Sequence, residues 1–270
     1  MMSILMSFFF PPPPSLFITA MTIVSFTSLA YTGLSEIRGK HLHYSKFWNV
    51  GNSSENKKIE NEIKISSRVG MLLFYGPAAA AAAASFFVPG LVVGLRAQLL
   101  SWALLVQFFK RVLEVLFIHQ YSGQILLSSA VPITSSYLSG TVSMIYTQYL
   151  SQNMTQPSID LKYPGLVLFL IGIAGNFYHH VLLSKLRQKN EKGYKIPKGG
   201  LFGLIICPHY LFEIIAFYGI TLIAQTMYAL SFALGTTVYL IGRSFATRKW
   251  YLSKFERFPR EVKALIPYIF

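Results

Sequence analysis

Apolar residues come in long blocks along this chain, separated by short polar and basic stretches, and the blocks show no strand-like alternation. Roughly 20 apolar residues make a helix long enough to cross a bilayer. Backbone groups in hydrocarbon must be satisfied within such a helix or in a closed barrel. The blocks predict spans near Ser15–Leu34, Gly70–Pro89, Gln98–Ile118, Gln124–Tyr146, Tyr163–Leu183, Leu201–Ile220 and Ile223–Gly242. Pro11–Pro14 hold the first span to a start near Ser15, since proline cannot continue a helix. That span reads as an uncleaved anchor. The run Ala78–Ala84 reads as a close-packing segment, because alanine is the best helix former. The tail from Arg243 to Phe270 predicts one interfacial helix around Ser244–Phe258. The fold class is therefore all-α, a polytopic membrane bundle of about seven transmembrane helices.

Composition agrees with this pattern. Of 270 residues, 53% are hydrophobic and 13% charged, against about 25% charged in an ordinary soluble domain. The net charge of +14 would suit nucleic acid, but its distribution has a simpler cause. Twenty Lys/Arg fall in the loops 35–69 and 184–200 and in the tail, and only Arg96 and Lys162 in the loops of the other side. Basic loops face the cytosol, so the count predicts a lumenal N-terminus and a cytosolic C-terminus. On that topology the Asn153-Met154-Thr155 sequon is lumenal and Asn52-Ser53-Ser54 cytosolic. The single Cys207 allows no intrachain disulfide.

Several polar groups interrupt the apolar blocks. A charge inside a span costs at least about 2.5–3.5 kcal/mol on insertion scales and marks function or a paired interior. Lys110, Arg111 and Glu114 lie in the third span, Asn176, His179 and His180 in the fifth, His209 and Glu213 in the sixth. Asn176 and His180 share a helix face, as do His209 and Glu213. Two spans thus aim polar stripes at one interior, with Arg187, Tyr194, Arg243 and Tyr251 at its cytosolic mouth. The competing explanation is interhelical hydrogen-bond glue. A basic mouth over an apolar cavity suits a phosphate-bearing ligand, since arginine forks match phosphate geometry. A dinucleotide and a coenzyme A thioester both satisfy that requirement. No strand–GxGxxG–helix unit is present, so the bundle itself would hold a nucleotide. Six histidines fall short of the eight or so that a membrane di-iron oxygenase uses. A zinc site from His179, His180 and His209 suffers from the roughly 100° between adjacent helical residues. No GxSxG elbow points to a hydrolase.

The stretches GNFYHHVLLSKLR, GYKIPKGGLF, CPHYLFEI, GRSFATRKWYLSKFERFP and KALIPYIF, in that order, resemble the steroid 5α-reductase family. That family includes very-long-chain trans-2-enoyl-CoA reductases and polyprenol reductases of the endoplasmic reticulum. FFKRVLEVLFIHQYS (108–122) is similar to the enoyl-CoA branch, and the whole looks like a plant-type member. The resemblance implies three parts: a segment 1–14, helices one to four within 15–169, and a catalytic, NADPH-binding region 170–270. It implies an NADPH-dependent reductase of an activated lipid C=C bond, in the endoplasmic reticulum membrane, with the lipid entering from the bilayer. A fatty-acid elongation complex is an implied partner. Cofactor-binding positions carry over to Asn176, Arg187, Tyr194, Glu213, Arg243 and Tyr251, with Arg187 and Arg243 on phosphates. His180 and His209 stand where the family has Asp and Asn. The steroid branch's span-three Tyr aligns with Phe108, and its span-two Glu falls near Tyr75. The enoyl-CoA branch instead implies Tyr210 as proton donor, with Lys110 lowering its pKa or binding a thioester oxygen. The alternatives left open are a non-catalytic subunit of an elongation complex and an S-adenosylmethionine-dependent membrane methyltransferase.

Overall fold

The computed structural model describes residues 7–47, 62–121, 123–186 and 193–270. Arg187 and the Asn52-Ser53-Ser54 sequon lie outside these residues. Among the described residues seven long helices carry the fold: α1 Leu16–Ile37, α2 Ser67–Ala84, α3 Gly94–Leu113, α4 Leu127–Leu150, α5 Lys162–Lys185, α6 Pro208–Ala224 and α7 Met227–Lys254. Of these, α1, α5 and α2 with its following turn are long and apolar enough to cross a membrane by length and composition. Local chemistry sets the starts. Ser15, Ser66 and Thr226 hydroxyls accept the N–H of Ile18, Val69 and Ala229, the N-cap bonds of α1, α2 and α7. Pro208 opens α6, where its missing N–H is harmless.

Contacts at the two ends of the bundle show that the helices alternate in direction. At one end, β1 (Lys64–Ser66) pairs antiparallel with β2 (Gln124–Leu126), joining the starts of α2 and α4. At the same end Arg243 of α7 reaches Glu36 at the close of α1. At the other end Gln225, in the left-handed conformation at φ 49°, closes α6. Its side-chain amide donates to the carbonyls of Phe8 and Ile159 and accepts from Leu161 N–H and Arg96. One residue thereby ties together the approaches to α1, α3, α5 and α7.

Glycines let the helices touch backbone to backbone. A Cβ on Gly172 would lie 2.4 Å from Ala216 N, and one on Gly219 2.4 Å from Phe169 N, along the α5–α6 seam. Gly33 and Gly242 do the same between α1 and α7. Small residues at such seams are the usual device of membrane helices, where packing drives association.

Two sequence expectations are corrected. The tail forms no separate interfacial helix over Ser244–Phe258: α7 runs unbroken through Arg243 to Lys254. The apolar stretch from Leu201 to Cys207 is not the start of span six. Gly199 and Gly200 have positive φ, and Leu204 and Ile206 exchange backbone bonds with Lys263. That stretch is apolar because the C-terminal tail covers it. The two-stranded ribbon was also absent from the helical reading.

Gly172→Val should destabilise the bundle by about 1–3 kcal/mol, the usual cost of overpacking, because the added methyls meet the α6 backbone. A lowered thermal midpoint in detergent, with no comparable loss for the unhindered Gly76→Ala, checks this.

Candidate active site

A cavity of about 600 Å³ opens between the helices, within the size range of small-molecule sites. Of the residues singled out in the sequence, His180, Tyr194, His209, Tyr210, Glu213, Arg243 and Tyr251 line it. Lys110 and Asn176 do not; they stand behind its wall. The Lys110 ammonium donates to Asn176 Oδ1 and lies 3.1 Å from Glu114 Oε1. Asn176 Nδ2 donates to the His209 carbonyl at 2.8 Å. The pair thus braces the first turn of α6 against α5 and α3.

The adjacent histidines part company as their 100° separation requires. His179 is a strut: Nδ1 lies 2.7 Å from the Gly175 carbonyl, and Nε2 accepts the Leu201 N–H at 3.1 Å. His180 faces the cavity, its Nδ1 2.9 Å from Arg111 Nη1 and 3.0 Å from Glu114 Oε2. His209 packs at a tilt between His180 and Tyr210, and its buried Nδ1 has no partner among the described residues.

Arg111 organises this wall. It is nine-tenths buried, donates to Glu114 Oε2 through Nη1 and to the Tyr75 hydroxyl through Nη2 at 2.7 Å, and lines the cavity. Glu114, His119 and His180 bring ligand atoms within 4.8 Å of one another. The Arg111 guanidinium already serves Glu114 and His180, so the trio is arranged for a guanidinium rather than for a metal ion. Burial, with Arg111 beside it, pushes the His119 imidazole down to about 4, so it stays neutral at physiological pH. Beyond Arg111, Tyr137 donates to Glu213 at 3.5 Å, and its ring packs against Tyr75 and Phe108.

The other wall is built around Arg243. Its Nη1 bonds Glu36 Oε1 at 2.6 Å and its Nη2 the Tyr44 carbonyl at 3.2 Å, while the rings of Tyr44 and Phe47 sandwich the guanidinium at 4.2 Å each. His41 lies 2.6 Å from the second Glu36 oxygen. At the mouth, Lys46 sits 4.9 Å from the Tyr251 ring and 5.8 Å from that of Trp250, which packs edge-on against Tyr194. Burial pushes the Lys46 ammonium down to about 8. From the mouth inward, Ser28, Leu29, Ile133, Phe232 and Leu240 give the cavity a largely apolar arm between α1, α4 and α7.

Sequence reasoning missed Glu36, Tyr44, Lys46 and Tyr137 as site residues, named Arg111 only as a buried charge, and met Tyr75 only as the position near which the steroid branch's span-two Glu falls. Arg111 carried a usable signal, its charge within an apolar span. The others lie in α1, α2, α4 and the 38–47 loop, where no local pattern reveals what faces inward.

Breaking a buried ion pair by removing one partner costs about 3–5 kcal/mol. The side chains of Glu36 and Arg243 are 0% and 2% exposed. Glu36→Ala should therefore lower stability by about that amount, and adding Arg243→Leu should return part of the loss. Thermal midpoints of the two single variants and the double variant measure the coupling.

Residues 124–270 match the sequence model of the family described as 3-oxo-5-alpha-steroid 4-dehydrogenase. Steroid 5-alpha-reductase DET2 of Gossypium hirsutum is 39% identical over 107 residues, covering 39% of this chain and 42% of that protein. The 3-oxo-5-alpha-steroid 4-dehydrogenase 1 of Mus musculus is 34% identical over 129 residues, 46% of this chain and 51% of its own length. The 3-oxo-5-alpha-steroid 4-dehydrogenase 2 of Homo sapiens is 34% identical over 132 residues, 48% and 52% respectively. The chain spans about half the length of the curated relatives it matches. With more than half of its residues inside the family match, including helices α4 to α7, this chain belongs to the 3-oxo-5-alpha-steroid 4-dehydrogenase, or steroid 5α-reductase, family.

Proposed function

We propose that this protein is an NADPH-dependent reductase of an activated C=C bond in a lipid, working in the endoplasmic reticulum membrane with its basic loops in the cytosol. The observation that carries the reading is the cavity between the helices. It joins a cationic, aromatic mouth to a polar inner wall and an apolar arm. The residues suit a phosphorylated dinucleotide. Lys46 and Arg243 offer positive charge, Tyr194 and Tyr251 offer aromatic faces, and the orphaned His209 Nδ1 and buried Glu213 offer polar contacts further in. Arg187 is a further phosphate ligand in this reading. When bound, NADPH supplies a hydride. The relatives' names speak of 3-oxo steroids and 5α-reduction, and carried to this chain they favour an enone or enoyl lipid.

The chain's own residues divide the remaining work. Glu213, held by Tyr137, would hold the cofactor, and Tyr210 serves as proton donor to the α-carbon beside the carbon that takes the hydride. Lys110 acts through Asn176 and Glu114 rather than on substrate, since its ammonium is taken up behind the cavity wall. The apolar arm receives the lipid and keeps water from the reacting carbons.

Titrating the purified chain with NADPH while following its tyrosine and tryptophan fluorescence should show saturable quenching. Adding a trans-2-enoyl-CoA, an enone steroid or a polyprenal should then consume NADPH. No quenching would remove the reading altogether. Quenching without turnover of any of the three would make the protein a non-catalytic relative. Hydrogen bonds to charged groups contribute about 1.5–3 kcal/mol, so Glu213→Ala should weaken NADPH binding roughly 10- to 100-fold. Lys46 carries its charge below about pH 8 and loses it above. NADPH affinity should therefore fall as pH rises through 8, and Lys46→Met should flatten that dependence.

A further inference from the structure

The apolar arm of the cavity carries a ring of hydroxyl groups. Ser28 and Thr32 of α1, Ser136 of α4 and Thr236 of α7 all line the cavity. Helix contacts put them at one depth. A Cβ on Gly235, the residue before Thr236, would lie 3.1 Å from the Cβ of Leu29, the residue after Ser28. A Cβ on Gly140 would meet the Phe232 ring at 2.4 Å. Because α4 and α7 run in opposite directions, Ser136 and Thr236 each stand one turn nearer the mouth than that contact, and so level with each other. Thr236 lies seven residues before Arg243 on α7, about 10 Å of helix rise below the charged mouth. Leu29, Ile133 and Phe232 supply hydrocarbon contact around the ring.

A hydroxyl inside an apolar bundle usually donates to the carbonyl one turn back on its own helix, which offsets the cost of burying it. Ser28 donates to the Val24 carbonyl at 2.6 Å and Thr32 to the Ser28 carbonyl at 2.8 Å, so both oxygens keep lone pairs for a further bond. On α7, Thr237 and Ser244 donate likewise to Ala233 and Leu240. Thr236 does not: its buried hydroxyl has no partner among the described residues. An unmade hydrogen bond at a buried donor is costly. Threonine in a helix divides between two χ1 rotamers, so a short turn lets this hydroxyl follow a ligand that enters the arm.

We infer that Thr236 is a specificity-determining residue: it donates to the oxygen of a hydroxyl group carried by the lipid at the end remote from the reduced bond. The proton of that group goes to Ser28 or Thr32. A hydroxyl both accepts and donates, and so satisfies both sides of the ring. A ketone satisfies only the Thr236 side, and a hydrocarbon end satisfies neither. The inference rests on the reductase reading and adds to it the class of lipid, a hydroxylated one. The cofactor takes the mouth and the polar inner wall in that reading, so the ring meets the far end of the lipid.

Saturated 3-oxosteroids, which have no double bond to reduce, serve as probes with a hydroxyl, an oxo group or only hydrogen at carbon 17. Binding of each radiolabelled probe is measured on full-length wild type and variants. Comparing one probe across variants cancels its partition into detergent. Thr236→Val should weaken the hydroxylated probe about 3- to 10-fold and leave the 17-deoxy probe unchanged. Thr236→Ser keeps the hydroxyl and should behave as wild type. Thr237→Val removes a hydroxyl bonded to its own helix and should affect neither probe. A smaller loss in Thr236→Val, an equal loss for both probes, or wild type that binds neither would overturn the inference. On wild type alone, affinity corrected for measured partition should fall from the hydroxyl to the oxo to the deoxy probe. Any other order would overturn the inference even if Thr236→Val does not accumulate. NADPH quenching in the same samples tests the reductase reading separately: without quenching that reading falls, and the probe ratios still decide Thr236.

Discussion

A guanidinium cannot stay unpaired inside an apolar helical bundle, and the arrangement of this protein follows from how it satisfies Arg111. Desolvating that charge costs several kcal/mol unless good partners surround it. The partners come from three helices: Glu114 one turn along from α3, His180 from α5 and Tyr75 from α2. Lys110 shares the same carboxylate and passes the connection to Asn176, whose amide holds the first turn of α6. One buried charge thus fixes four helices and one wall of the cavity.

Arg243 and Glu36 do the same for the opposite wall, tying the end of α1 to α7 where Gly33 and Gly242 bring the helices into backbone contact. The cavity is the space between these two charged walls, open toward the basic loops. The family match begins at residue 124, so it contains Arg243, Tyr251, Glu213 and both site histidines. Tyr75 and Arg111 lie before that point, as does the Lys46 mouth. The region shared with the family thus provides most of the cavity lining, and the segments before it add Tyr75, Arg111 and Lys46.

Helix number and placement were legible because each span has to be apolar over a fixed length, which is a local property of the chain. The polar stripes of α5 and α6 were legible for the complementary reason, since an intramembrane His or Glu is costly enough to stand out. Asn176 and His180 shared a face as their spacing required, yet only His180 reached the cavity. One turn of helix is enough to carry a side chain from the lumen to its supporting wall. The stretch from Leu201 to Cys207 misled because burial under a folded tail and burial in lipid select the same residues.

The sequence by itself determined an all-α bundle, the clustering of positive charge in one set of loops and a pair of polar helices whose chemistry suits an interior site. Those are consequences of solvation cost, which is read residue by residue. The tertiary structure alone decided which polar groups meet. It put Lys110 behind the wall and Arg111 in it, gave Glu36 to Arg243, and set the Tyr75 hydroxyl against a guanidinium from another helix. Such pairings depend on the rotation and depth of each helix against its neighbours. Packing across the whole bundle sets both, and no local pattern records them.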